Sequence, residues 1–548
     1  MKKLVPFIII LLLSFFAVKP LFYPGFFPVH DNVQVQRVYE MTQSLKDGMF
    51  PVRWVRDLGY GYGYPIFNFY GPFAYYIGAL FLLSGFSALV ATKMMIGIGI
   101  LLSGIGIYVL GKYLWGIYGG MLAAVFYTYA TYHAVDIFVR GDIGELYAYG
   151  LLPLAIFGFI AFIQEKKWQY LVTGAISFAL LICSHNLSAL MVSPLLLLLA
   201  IWGVVAKKTW SGFVTFLLGL FIASFYWLPA LTESVYTNVL SQITGGADFH
   251  NNFVCPMQFW YSPWEYGGSV PGCNDGLSFM VGKLHIIFSF VALLLAVLFF
   301  RKNKAVSLLV FVLFFGFLFS LFIQTQYALV IWNAIKLMAY FQYPWRFLIL
   351  SSFFTSLLAG SCMVFLHNIP IPQKHLLIPL YTAPLVLSVL LLQTKFFIPE
   401  YYTSYPSSYY TTSSMLRFTA SKISDEYMPK TFSKPKTIKN VPQGFITAKQ
   451  VTVILDKTQE KVFITHFTTP QTMHVNLTYF PAWHLYSGST EIFLQQVKNG
   501  MSARIPSGNH TIRLEFQQTN LEKTGDTLSL AGIVFLFLGI IYYDEENS

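Results

Sequence analysis

Apolar runs of roughly the 17–25 residues that a bilayer-crossing helix needs recur along most of this chain, separated by short connectors in which Lys and Arg collect. The connectors at Lys2-Lys3, Lys166-Lys167, Lys207-Lys208, Arg301 to Lys304 and Lys374 fix the cytoplasmic side by the positive-inside rule. Between them, spans are predicted near 4–22, 90–111, 116–134, 146–163, 168–184, 188–206, 210–230, 283–300, 305–323, 346–366, 375–393 and 527–543, about twelve in all. The run Phe73 to Gly85 is short and follows Gly71-Pro72. Crossing there would push Glu165-Lys166-Lys167 outside, so it is read as a helix at the outer interface. Both termini are then cytoplasmic, and Met1 to Phe22, with no small-x-small cleavage pattern, is expected to stay as an uncleaved first helix.

The polar segments left outside are 23–89, 135–145, 185–187, 232–282, 324–345 and 394–525. In the last of these the period changes. The runs VTVIL, KVFITHF and HTIRLEF alternate apolar and polar residues, with turn signals at Lys498-Asn499-Gly500 and Pro506-Ser507-Gly508, and predict a small antiparallel sheet domain. The expected fold is an all-α polytopic membrane protein with a small extracytoplasmic antiparallel β domain near the C-terminus. Its divisions are a transmembrane domain over 1–393 with large outer loops 23–89 and 232–282, a β-rich domain over 394–525, and a final helix with a short cytoplasmic tail over 526–548.

Composition sharpens this picture. A chain of 548 residues that is 56% hydrophobic and 11% charged, with mean hydropathy +0.59, lies outside the soluble range, and its long runs argue for helices over a barrel. The net charge of +11 sits mainly in the connectors, so it reports topology and not a nucleic-acid partner. Of the four cysteines, Cys183 and Cys362 fall in apolar runs; Cys255 and Cys273 share one polar loop and can pair if that loop faces an oxidising compartment. No Cys/His spacing suggests a zinc site.

Candidate chemistry collects in the outer segments. In PVHDNVQVQR, residues 28–37, Asp31 is placed to cap a helix over Asn32 to Asp47, with Gln34 at its third position, close to a capping box. A carboxylate partly desolvated at a membrane surface can also take a proton from an attacking hydroxyl. Further on come GMFPVRWVR and GYGYGYPIFNFYGP, where glycine lets the chain turn and each tyrosine offers a ring suited to the interface or to a sugar face. The segment DIFVRGDIGE, residues 136–145, crowds charges between two spans. They must pair internally, Arg140 with Asp142 or Glu145, or reach water, or meet a ligand. At QYPWR, Arg346 stands at the outer mouth of a span, able to grip a lipid phosphate or simply to snorkel. The loop with Trp260, Tyr261, Trp264, Glu265 and Gly267-Gly268-Ser269 is available to cover the groove between these segments.

The order of these features resembles the GT-C class of polytopic glycosyltransferases. Within it, HDNVQVQR, GMFPVRW, GYGYPIFNFYGP, VRGDIGELYAY and QYPWRF are most similar to the bacterial 6-pyruvoyl-tetrahydropterin synthase-related membrane proteins, over most of the chain. The resemblance implies a polyprenyl-phosphate sugar donor and a glycan, lipid or protein acceptor at the extracytoplasmic face of the plasma membrane, with inverting transfer. Asp31 maps to the first-loop acid and Asp142 or Glu145 to the second-loop acid, as catalytic residues. Substrate binding falls to His30, Gln34, Arg37, Arg53, Tyr64, Arg140 and Arg346, the last two balancing the phosphate. A divalent metal, Mg or Mn, would sit on Asp31 and Asp142. The first motif departs from the paired acids usual in the class, since His30 precedes Asp31. Pterin chemistry is not implied, because the chain has no histidine triad to hold the zinc of a pterin synthase. The rival readings are a flippase for lipid-linked saccharides, which would place ionisable groups on broken helices near the midplane, and a non-catalytic envelope protein.

Overall fold

The computed structural model describes residues 4–239, 241, 247–366, 374–448 and 450–547. The Lys2-Lys3 anchor lies outside these residues, as does the side chain of Lys374. Each predicted span falls on a helix, but fewer than twelve qualify as crossings. Among the described residues five helices are long and apolar enough, or seven if two bent pairs each count as one span. The shortfall has local causes. Trp168–Ser184 and Lys283–Leu298 are apolar helices of 17 and 16 residues, at and just below the lower limit of a crossing. The spans expected at 90–111 and 116–134 fall within one element, Ala88–Thr128, interrupted at Gly116, where φ is 78° and ψ 179°. Only glycine takes that conformation readily, and the helix halves meet there at a sharp corner.

The bent pairs have recognisable origins. Val5–Leu13 and Phe15–Phe22 meet at 42° around Ser14, whose hydroxyl donates back to the Ile10 carbonyl at 2.8 Å, a bond that bends helices. Ser211–Ile222 and Ser224–Tyr236 meet at 71°. There the Ser224 hydroxyl donates to the Gly525 carbonyl at 2.8 Å, fixing the break to the last helix, Asn520–Asn547. Phe73–Leu83 is a helix of 11 residues. At about 1.5 Å per residue it is too short to cross.

The alternating runs form the expected sheets. Strands β1 (Val451–Asp456), β2 (Glu460–Phe467), β4 (Trp483–Ser487), β5 (Thr490–Ile492) and β8 (Gly508–Phe516) make one antiparallel sheet in the order β1-β2-β8-β4-β5, and β3 (Gln471–Val475), β6 (Gln495–Gln496) and β7 (Met501–Ile505) a second, β3-β7-β6. Phe463 opposite Ile512, and Leu485 opposite Leu514, set the buried face. That core is shared with the loop over residues 23–89. Trp54 is fully buried in it, its ring 5.4 Å from Trp483 and 5.8 Å from Phe516. Trp483 is therefore core, and the sheets clamp the first loop directly. Cys255 and Cys273 are joined in a disulfide.

Candidate functional site

The first loop reaches the second through backbone. His30 and Asp31 donate their N–H groups to the carbonyls of Val139 and Arg140, both at 2.9 Å. Gly141, at φ 67°, turns the second loop at this point, and a Cβ there would lie 2.4 Å from Val29 Cγ2. The helix then starts at Gln34, with Val33 in the cap position and no side-chain cap. The expected Asp31 cap and its box with Gln34 are thus absent, because the ladder to Val139 and Arg140 engages the chain just ahead of the helix. Gln34 instead donates to the Gly141 carbonyl at 2.7 Å and accepts from the Tyr75 hydroxyl at 2.5 Å. The Asp31 carboxylate is half-buried and accepts no hydrogen bond among the described residues. Burial first, then the Asp142 carboxylate, pushes its pKa up, against the pull of Arg37, Arg140 and Arg346.

Next to it lies a buried lattice of charge. A wide turn over Asp136–Arg140 and the N-terminus of the helix Ile143–Glu165 point their side chains at one another. Arg140 donates to Asp136 at 2.7 Å, to Asp142 and Glu145 at 2.9 Å each, and to the Tyr132 hydroxyl at 3.0 Å. Tyr132 in turn donates to Glu145. From the start of the helix Leu348–Leu366, Arg346 reaches the same acids, Glu145 at 3.0 Å and Asp142 at 3.4 Å. Asp142 also caps its helix, accepting from the Glu145 N–H at 3.0 Å. Its carboxyl lies well below the usual range: burial works against this, but His185, Arg140 and Arg346 prevail. Asp136 is pushed up by burial and by Glu145 against the pull of Arg140, and its second oxygen is buried without a partner among the described residues. Arg346 keeps one side open, for its Nη2 makes no hydrogen bond among the described residues, and its Nε is buried unpartnered. The Trp345 ring lies 4.8 Å from Arg140 and stacks on Phe279 of the disulfide loop, which covers this side of the cluster.

Arg37 forms the far wall. Its guanidinium lies 4.1 Å from the Tyr70 ring and donates to Tyr75 at 3.2 Å and to Ser424 at 2.9 Å, and Ser424 donates to Glu426 at 3.2 Å. Tyr64, fully buried, accepts from the Tyr427 N–H at 3.2 Å, and so props this strap from behind without reaching the acids. His30 is exposed at the rim, 3.1 Å from the Tyr266 carbonyl. Arg53 belongs elsewhere. It donates to Asp526 at 2.7 Å and Asn68 at 2.9 Å, and Asn68 and Thr519 both donate to Glu233, a separate knot that ties the first loop to the last helix. Asp31, Asp142, Glu145, Gln34, Arg37, Arg140 and Arg346 are thus brought together, and Arg53 and Tyr64 are not. Sequence reasoning missed Tyr75, Tyr132, His185, Ser424 and Glu426. Among these only His185, an ionisable residue between two apolar runs, carried a signal that could have been read.

Among the described residues one group of metal-type donors stands together: Asp142, Glu145 and His185, with ligand atoms within 4.8 Å of one another. The acids' oxygens already face Arg140, Arg346 and Tyr132, so a divalent ion does not fit the set as it stands. A histidine triad for pterin-type zinc is not found among the described residues.

No curated protein sequence matches the chain. Solved structures that resemble it include an oligosaccharyltransferase of Archaeoglobus fulgidus tethered to an acceptor peptide, at 13% identity and TM-score 0.47, covering 79% of this chain and 61% of that one. Others are the arabinofuranosyltransferase AftD from Mycobacteria, at 15% and 0.41 over 72% of this chain and 28% of that one, and ArnT from Cupriavidus metallidurans bound to undecaprenyl phosphate, at 14% and 0.28 over 73% and 89%. The chain thus spans less than two thirds of the oligosaccharyltransferase it matches. The sequence model of the 6-pyruvoyl-tetrahydropterin synthase related domain, described as a membrane protein, matches residues 67–397, from the first loop through the acid lattice and the Arg346 mouth. As that is more than half of its length, the chain belongs to this family of membrane proteins.

Proposed function

We propose that the protein transfers a sugar from a polyprenyl-phosphate donor to an acceptor hydroxyl at the extracytoplasmic face, with inversion. The observation that carries the reading is the Asp31 carboxylate: half-buried, with no hydrogen bond of its own among the described residues, and set by two main-chain bonds beside Arg140 and within the field of Arg37 and Arg346. Such a group is a general base next to a cationic wall. Asp31 takes the acceptor's proton, the acceptor oxygen bonds to the anomeric carbon, and the bond from that carbon to the phosphate oxygen breaks. The lipid phosphate departs with the electron pair, and the open Nη2 of Arg346 meets its charge. Desolvation helps the proton transfer, since a carboxylate pushed up in pKa is a stronger base. The acceptor, a glycan, lipid or protein, would enter from the side of the β domain and the 424–427 strap.

The test is sugar transfer or release from a panel of polyprenyl-phosphate sugars with the full chain in nanodiscs. Turnover with one donor supports the reading. No turnover with any donor would favour the flippase or envelope readings, and a flipping assay on the same nanodiscs separates those two. Arg346→Gln is expected to raise the donor KM by roughly ten- to a hundredfold, the effect of losing a charged hydrogen bond of about 1.5–3 kcal/mol, while the protein stays folded by thermal unfolding. An unchanged KM would remove Arg346 from donor binding.

A further inference from the structure

The group Asp142, Glu145 and His185 has the composition of a divalent-cation site, two carboxylates and one imidazole, all buried. Its lone pairs are nevertheless taken. Asp142 Oδ1 accepts from the Glu145 N–H at 3.0 Å and the Tyr70 hydroxyl at 3.4 Å, and Oδ2 accepts from Arg140 at 2.9 Å and Arg346 at 3.4 Å. Glu145 Oε1 accepts from Tyr132, and Oε2 from Arg140 at 2.9 Å and Arg346 at 3.0 Å. His185 Nδ1 lies 2.8 Å from the Ser188 hydroxyl and 3.3 Å from the Ser188 N–H, and Nε2 lies 3.7 Å from Asp142. A dication entering here would join two guanidinium cations in a pocket closed to water, a repulsion that the low local dielectric magnifies.

We propose that Arg140 and Arg346 hold the place of a divalent cation at the second-loop acids, and that the site works without a bound metal. The two guanidiniums bridge both carboxylates as an ion would, and fix their spacing. Unlike an ion, Arg346 retains an outward edge, so the charge that orders the acids is the charge that faces the mouth. This extends the transfer reading by naming the cation of that site, but the geometry behind it stands without any donor.

The experiment reads metal and not turnover, so it remains decisive if sugar transfer fails. Full-length protein in nanodiscs, stripped with chelator, is titrated with Mn²⁺ followed by electron paramagnetic resonance, and with Zn²⁺ against a fluorescent chelator. Wild type is expected to bind no more of either ion than the Asp142→Asn/Glu145→Gln double variant; His185→Ala serves as comparator if that variant does not fold. Arg346→Met vacates a place on both carboxylates and is expected to gain one equivalent, lost again when His185→Ala is added. One extra equivalent in wild type would overturn the proposal. So would a folded Arg346→Met that gains no ion, since the arginine would then not be what excludes it.

Discussion

Asp31→Asn is expected to lower the rate of sugar transfer by about two to four orders of magnitude, the usual contribution of a positioned general base. The change keeps the shape of the side chain and the two backbone bonds that set it, and removes only the capacity to take a proton. Stability should move the other way. Because burial raises the Asp31 pKa in the folded protein, the native state binds this proton more tightly than the unfolded chain, and stability falls as pH climbs from the unfolded pKa through the folded one. Above that window wild type bears the cost of a desolvated charge and the asparagine variant does not, so the variant should unfold at the same or a higher temperature near neutral pH. The same shift carries the acid limb of the wild-type rate profile above the ordinary carboxylate range. An acid limb at the pKa of an exposed aspartate, or equal turnover in the two proteins, would take Asp31 out of the reaction.

Arg140→Met is expected to cost about 3–5 kcal/mol of stability, the loss typical of breaking a buried ion pair from one side. The figure is large because one guanidinium serves Asp136, Asp142, Glu145 and Tyr132, and only Arg346 remains to face the acids once it is gone. Lysine is a poor substitute, since a point charge cannot match several acceptors spread along a planar fork. Thermal unfolding in nanodiscs should show the deficit, and it should shrink as pH falls and Asp142, no longer held low by Arg140, takes up a proton. A variant as stable as wild type would mean that Arg140 does not carry the lattice.

Much of this was legible along the chain and some was not, for reasons that differ by residue. Asp142, Glu145, Arg140 and Arg346 announced themselves because ionisable groups at the ends of apolar runs are costly unless they meet a partner or a ligand. The sheets were legible in the period-two alternation of residues 451–516. The Asp31 cap failed although the local pattern was right, because backbone pairing of His30 and Asp31 with a segment more than a hundred residues away decided where the carboxylate lies. Arg53 and Tyr64 were chosen for their place in a loop of suggestive composition, and tertiary packing sent one to the last helix and the other behind a strap. Ser424 and Glu426 could not have been found, since nothing local distinguishes them from other polar residues of an outer segment. The number of crossings differs from the twelve expected because two expected spans share one element interrupted at Gly116, another is broken at Ala223, and the 17- and 16-residue helices stand at the lower limit of a crossing.

The strap Ser424–Glu426 touches Arg37, which touches Tyr75, which touches Gln34, which holds the Gly141 carbonyl. The pocket is therefore written in instalments across some four hundred positions. As the chain leaves the ribosome N-terminus first, the arginines and acids of the helical part exist before the strap that closes Arg37 has been made. A nascent chain can hold its charge lattice in the bilayer, yet its far wall is missing until residues 424–426 have been made, so the enclosure closes only after the helical part that carries the lattice is complete.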